Sequence, residues 1–224
     1  MNTQLISPLI RKDWNLHRTE ALVSLTAGIA ALGVLQVRTE ITFVLGSVWF
    51  FVALIVLGCW LPISAVINER KKQTLAFIMS LPVSAVEYTV AKITSAVILF
   101  VVPWTALLIG ALMLIKVQHI FPNGIIPTVW ILALLPLIGF FVICGAALVS
   151  ESEGLSIAAT ILCNSSYGIV WYLLARMPEI HNNWSSPVAV WSGIAQRVLF
   201  GEIALIVLIV AVTLFLQSRK RDFV

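Results

Sequence analysis

Six stretches of this chain run without a single Asp, Glu, Lys or Arg: residues 21–37, 41–66, 93–115, 125–149, 155–175 and 203–216. A helix that crosses a bilayer needs about 20 mostly apolar residues, because each adds about 1.5 Å of rise across about 30 Å of hydrocarbon. The last stretch reaches that length only when 198–202 is included, which places Glu202 near one interface. Composition agrees with a bilayer as the solvent. With 60% hydrophobic and 11% charged residues and a mean hydropathy of +1.04, the chain excludes both a water-soluble globule and a disordered segment. The sequence predicts an all-α membrane protein: one transmembrane domain over residues 1–224, with spans at about 21–37, 41–66, 93–115, 125–149, 155–175 and 198–217.

An even number of spans puts both termini on one side, and the basic residues decide which side. Arg11, Lys12, Arg18, Arg70, Lys71, Lys72, Lys92, Arg219, Lys220 and Arg221 fall in one set of segments, whereas the opposite set holds only Arg38, Lys116, Arg176 and Arg197. The positive side is the cytoplasm, so both termini, the 67–92 loop and the 150–154 turn are expected inside a cell (inner) membrane, with 176–197 outside. This segregation also accounts for the net charge of +4 without a basic face for nucleic acid. The first span follows basic residues as a signal peptide would, but it meets Arg38, Thr39 and Glu40 and then another long span, so it is read as a retained helix. Trp14, Trp60, Trp130, Trp171, Trp184 and Trp191 lie near span ends or in loops, where an amphipathic ring anchors at the headgroups.

The spans also exclude functions. Ion-driven carriers and proton relays place titratable groups at membrane depth, and the charged residues here lie outside the uncharged stretches. None of the 12 glycines precedes a lysine, so the chain has no phosphate-cradling G-x-x-x-x-G-K-[ST] loop. It also lacks H-E-x-x-H and G-x-S-x-G, and no histidine falls in a span to serve as a base; no catalytic residue is assigned. Cys59, Cys144 and Cys163 sit in apolar runs as small hydrophobes, and His17, His119 and His181 are scattered, so neither a disulfide nor a metal site is expected.

The most informative segment joins the second and third spans. Leu75, Ile78, Met79 and Leu81 recur at helical offsets behind Glu69, Arg70, Lys71 and Lys72, which predicts a short amphipathic helix ended by Pro82. Ser84 and Glu87 then fit a capping box that starts the third span. A basic interfacial helix that only fixes topology has the same pattern.

This segment resembles the corresponding loop of ABC-2 type permeases, the membrane subunits of one class of ABC exporter. The family's pattern runs roughly E-[RK]-x-x-G-T-x-x-x-L-x-S-x-P-[VL]-[ST], followed by a tyrosine or similar residue and then a lysine. Glu69, Arg70, Thr74, Ser80, Pro82, Val83, Ser84, Tyr88 and Lys92 match it, whereas Gln73 stands in place of the usual glycine and Ala76 in place of a common acidic residue. The resemblance implies a coupling helix seated in a groove of a cytoplasmic ATPase, with Glu69, Arg70, Thr74, Leu75, Ile78, Met79 and Pro82 as coupling residues. Two copies of that ABC ATPase would carry ATP and Mg; this chain would bind no cofactor itself. A second permease copy, identical or paralogous, and membrane lipid are the other implied partners.

Ser7, Pro8 and the apolar arc of Leu9, Ile10, Trp14 and Leu16 predict a helix lying in the cytoplasmic interface, although Asp13 and His17 interrupt that arc. It resembles the elbow helix of the same family. Asn164, Ser165, Ser166 and Tyr167 lie near the middle of the fifth span, where lipid exposure of polar groups is costly, so their face is expected to point inward. Interhelical hydrogen bonding and a polar substrate path both account for such a cluster. Residues 178–200 resemble the short outer helices of these permeases, and a surface loop would use similar residues. The function implied is a permease subunit that couples a separate ATPase to export; the other reading is an intramembrane enzyme or a non-transporting assembly scaffold.

Overall fold

The computed structural model of the protein describes residues 3–37, 39–67, 85–150 and 152–219. Among the described residues there is no strand. The helices are α1 (Thr3–Leu35), α2 (Glu40–Pro62), α3 (Ala85–Lys116), α4 (Ile126–Ser150), α5 (Glu153–Arg176), the single turn α6 (Pro178–His181) and α7 (Gly193–Arg219). All except α6 are long and apolar enough to cross a membrane.

Local chemistry sets several boundaries. Thr39 caps α2 reciprocally with Thr42: the Thr39 hydroxyl accepts the Thr42 N–H at 3.2 Å, and the Thr42 hydroxyl accepts the Thr39 N–H at 3.0 Å. At the other end, Pro62 supplies no N–H, and the chain continues as a wider π turn over Ile63–Ile67. Ser152 caps α5 by accepting from the Leu155 N–H.

Helix α1 packs between α2 and α3. It runs antiparallel to α2, where the Ser24 hydroxyl donates to the Ala53 carbonyl at 2.8 Å. It runs parallel to α3 in a register marked by Asp13 beside Lys92, Gly28 against Leu107 and Leu32 against Gly110. A Cβ at Gly110 would lie 2.7 Å from Leu32, so both glycines permit a close approach of the two helices.

Helix α4 is the most enclosed span: it carries no charged side chain and packs against α2, α5 and α7. Phe140 on α4 stacks on Phe100 of α3 with ring centroids 4.7 Å apart, and both are fully buried. Helix α7 runs parallel to α4, and its inward seam holds Ala195, Glu202, Thr213 and Gln217. Gln217 donates to the Leu148 carbonyl, while Phe200, Leu208, Val212 and Phe215 face outward. Polar groups turned in and apolar groups turned out are the arrangement a hydrocarbon solvent selects.

One expectation changes. Among the described residues no separate elbow precedes the first span: α1 continues from Thr3 to Leu35, and its 33 residues extend about 50 Å, more than the hydrocarbon thickness. Residues 9–20 contain neither Gly nor Pro to break the helix. Asp13 and His17, which spoil an interfacial arc, instead start the buried seam that continues through Ala21, Ser24, Ala31 and Leu35. Glu202 stands nine residues (202 − 193) into α7, about 13 Å along its axis, and is turned into the bundle. The coupling residues Glu69, Arg70, Thr74, Leu75, Ile78, Met79 and Pro82 lie outside the described residues; α3 resumes at Ala85.

Candidate functional site

Where the chain re-enters the bundle after the 68–84 segment, α3 presents a lysine to α1. Lys92 Nζ donates to both carboxylate oxygens of Asp13, at 3.0 and 2.9 Å, and Ser95 Oγ lies 2.8 Å from Asp13 Oδ2. Asp13, Lys92 and Ser95 are 2%, 3% and 2% exposed, so the pair is shielded from solvent on every side. Ser95 Oγ is also 3.0 Å from the Lys92 carbonyl one turn back on its own helix, so its one proton is shared between an acceptor on α1 and one on α3. The half-exposed Lys12 stands 3.6 Å from Asp13 Oδ1 and adds a second positive charge at the rim.

One turn further along α1, His17 Nδ1 is 2.9 Å from Glu20 Oε2, while its buried Nε2 has no partner among the described residues. The sequence reading treated Asp13 and His17 as flaws in an amphipathic arc and Lys92 as a loop charge closing a motif. The overlooked signal was the spacing of Asp13, His17, Ala21 and Ser24, which puts four positions on one helix face.

The polar cluster on α5 divides. Asn164 and Ser165 are exposed, contrary to an inward-facing cluster. Their polar contacts are sparse; Asn164 Oδ1 lies 3.8 Å from the Cys59 thiol of α2, which donates to it. Ser166 is satisfied within its own helix by the Cys163 carbonyl at 2.6 Å. Tyr167 alone reaches the core: its hydroxyl donates to the Leu135 carbonyl of α4 at 3.3 Å, in space that Gly139 leaves open. Helix α5 buries only Ser156 and Leu174, because α4 covers a single side of it. A membrane helix is apolar on its lipid side as well as in its core, so hydropathy does not mark which side packs.

Beyond α5, the segment around α6 covers the start of α4. Trp184 stacks on Trp171 with centroids 5.7 Å apart and donates its indole N–H to the buried Thr128 hydroxyl at 2.9 Å. The Gly124 N–H donates to the Ser186 carbonyl at 2.9 Å, and the Asn123 amide to the Pro187 carbonyl at 2.9 Å. The segment expected to hold short outer helices thus contains one helical turn followed by an extended strap tied back to α4. On the same end of the bundle, a cavity of about 460 Å³ opens between Leu35, Glu40, Phe43 and Phe121, remote in sequence from both polar clusters.

No family model, curated protein or solved structure matches the chain.

Proposed function

We propose that the protein is the membrane-spanning permease subunit of an ATP-binding cassette exporter, driven by two copies of a separate cytoplasmic ABC ATPase. The observation that carries this reading is the 69–92 segment, which resembles the coupling loop of ABC-2 type permeases and joins α2 to α3 in a chain with six apolar helices. In this reading Leu75, Ile78 and Met79 fill an apolar groove on the ATPase, while Glu69 and Arg70 pair with charges at its rim. In the same reading Pro82 ends the helix and Thr74 is a motif position of the coupling segment. ATP and Mg belong to the ATPase, because this sequence contains no phosphate-cradling loop.

The exposed polar positions of α5 support a second permease copy. Asn164 and Ser165 would be costly against lipid, and a second copy facing them would give them polar neighbours and a path between protomers. The basic-residue asymmetry supports an inner-membrane orientation with both termini in the cytoplasm. The test is co-purification from membranes in mild detergent. An ABC ATPase that remains bound, and hydrolyses ATP faster with this protein than alone, is the expected result; purification with no ATPase attached would overturn the reading.

A further inference from the structure

We propose that the buried Asp13–Lys92–Ser95 cluster is the joint through which displacement of the 68–84 loop reaches α1, so that α1 moves with the loop as well as the two helices the loop connects. This rests on the exporter reading above and adds a positioning role for residues outside the coupling motif's apolar face.

Neither stability nor helix register needs an ion pair at this place. Taking Asp13 and Lys92 out of water has a desolvation cost that their attraction only roughly offsets, and apolar residues of similar volume commonly do as well or better. Stability therefore does not call for charges here. Register does not call for them either, because Gly28 against Leu107 and Leu32 against Gly110 already hold α1 and α3 at the same offset: 107 − 28 and 92 − 13 are both 79, and 110 − 32 is 78.

A directional joint is what the cluster adds. The Asp13 carboxylate receives Lys92 on both oxygens and Ser95 on one, which fixes its position and orientation. Apolar side chains in contact can slide past one another without losing a specific bond. Lys92 is seven residues (92 − 85) into α3, about 10 Å from its start, so the first two turns of α3 form a short stiff arm between loop and joint. On the receiving side α1 is one continuous helix, and farther along it Ser24 bonds to Ala53 of α2. Helix α1 is thereby hydrogen-bonded to both helices that the loop joins.

The experiment uses the full-length protein in complex with its co-purified ABC ATPase, in lipid nanodiscs, comparing ADP with ATP plus vanadate. Amide hydrogen exchange is followed in residues 85–92 and 8–20. In the wild type both segments are expected to change exchange rate by about tenfold, a typical size for coupling between sites. In the double variant Asp13→Leu/Lys92→Met, which replaces both charges with apolar side chains and removes the joint, 85–92 should still respond and 8–20 should not. Asp13→Asn should give an intermediate response, since it keeps hydrogen-bonding capacity without the charge. A full response of 8–20 in the double variant would overturn the joint and leave a packing role. A wild-type response at 85–92 alone would overturn it too, with the exporter reading intact. No wild-type response in either segment would count against the exporter reading and the joint together.

Discussion

Trp104 of α3 donates its indole N–H to the main-chain carbonyl of Ala133 on α4, 2.7 Å away in a fully enclosed part of the bundle. Pro136 lies three residues further along α4, where its ring removes one backbone N–H and crowds the carbonyls of the preceding turn. The indole therefore meets a helix whose own ladder is interrupted, and it joins the two helices that also share the Phe100–Phe140 stack. Trp60 and Trp171, expected at span ends, are 52% and 44% exposed, whereas Trp104, within the 93–115 stretch, is 7% exposed.

Replacing Trp104 by Phe keeps an aromatic ring and deletes the donor. The expected cost is about 1 kcal/mol, the scale of an interhelical hydrogen bond in a membrane protein. Thermal unfolding in detergent should show a lower melting temperature for Trp104→Phe and an unchanged one for Trp60→Phe. Equal losses at both positions would mean that ring size, and not the Ala133 bond, is what matters.

The basic-residue asymmetry makes a topological prediction. In intact cells an impermeant thiol reagent should modify Asn182→Cys and leave Gln73→Cys unmodified until the membrane is opened. Labelling of Gln73→Cys from outside would reverse the orientation and remove any access of an ATPase to the loop.

Asn164 is exposed on α5, and its nearest polar contact is the Cys59 thiol. If that face borders a substrate path between two copies, Asn164→Leu should change which substrates are exported while the dimer and its bound ATPase persist. Loss of the dimer, with unchanged preference in whatever complex remains, would show that Asn164 only holds helices together.

Six helices long and apolar enough to cross a membrane were legible because hydrocarbon imposes a length and a composition that few other structures share. Residues 9–20 were harder. Their pattern suits a helix with one face on headgroups, whereas Asp13 and His17 are buried in the bundle and α1 continues as one helix from Thr3 to Leu35. Charged residues deep in a bundle look like interruptions until the partner is known, and Lys92 is 79 residues away. The α5 cluster was recognised as polar, but its direction depends on which side α4 covers, and period and hydropathy are silent on that. The loop motif and its apolar face at Leu75, Ile78 and Met79 lie outside the described residues, so they stand on sequence pattern alone.

The central claim is that this apolar face seats in an ABC ATPase, and Ile78→Asp tests it most directly. Burial of a large apolar side chain is worth about 1.5–3 kcal/mol, and a carboxylate in the same groove adds a desolvation penalty. The variant should insert in the membrane and fold like the wild type, because position 78 lies outside the uncharged stretches 41–66 and 93–115 of the sequence. Measured by pull-down from solubilised membranes, the ATPase should be lost or its hydrolysis should no longer respond to the permease. A variant that retains ATPase binding with full transport would contradict the coupling-helix assignment and the exporter reading built on it.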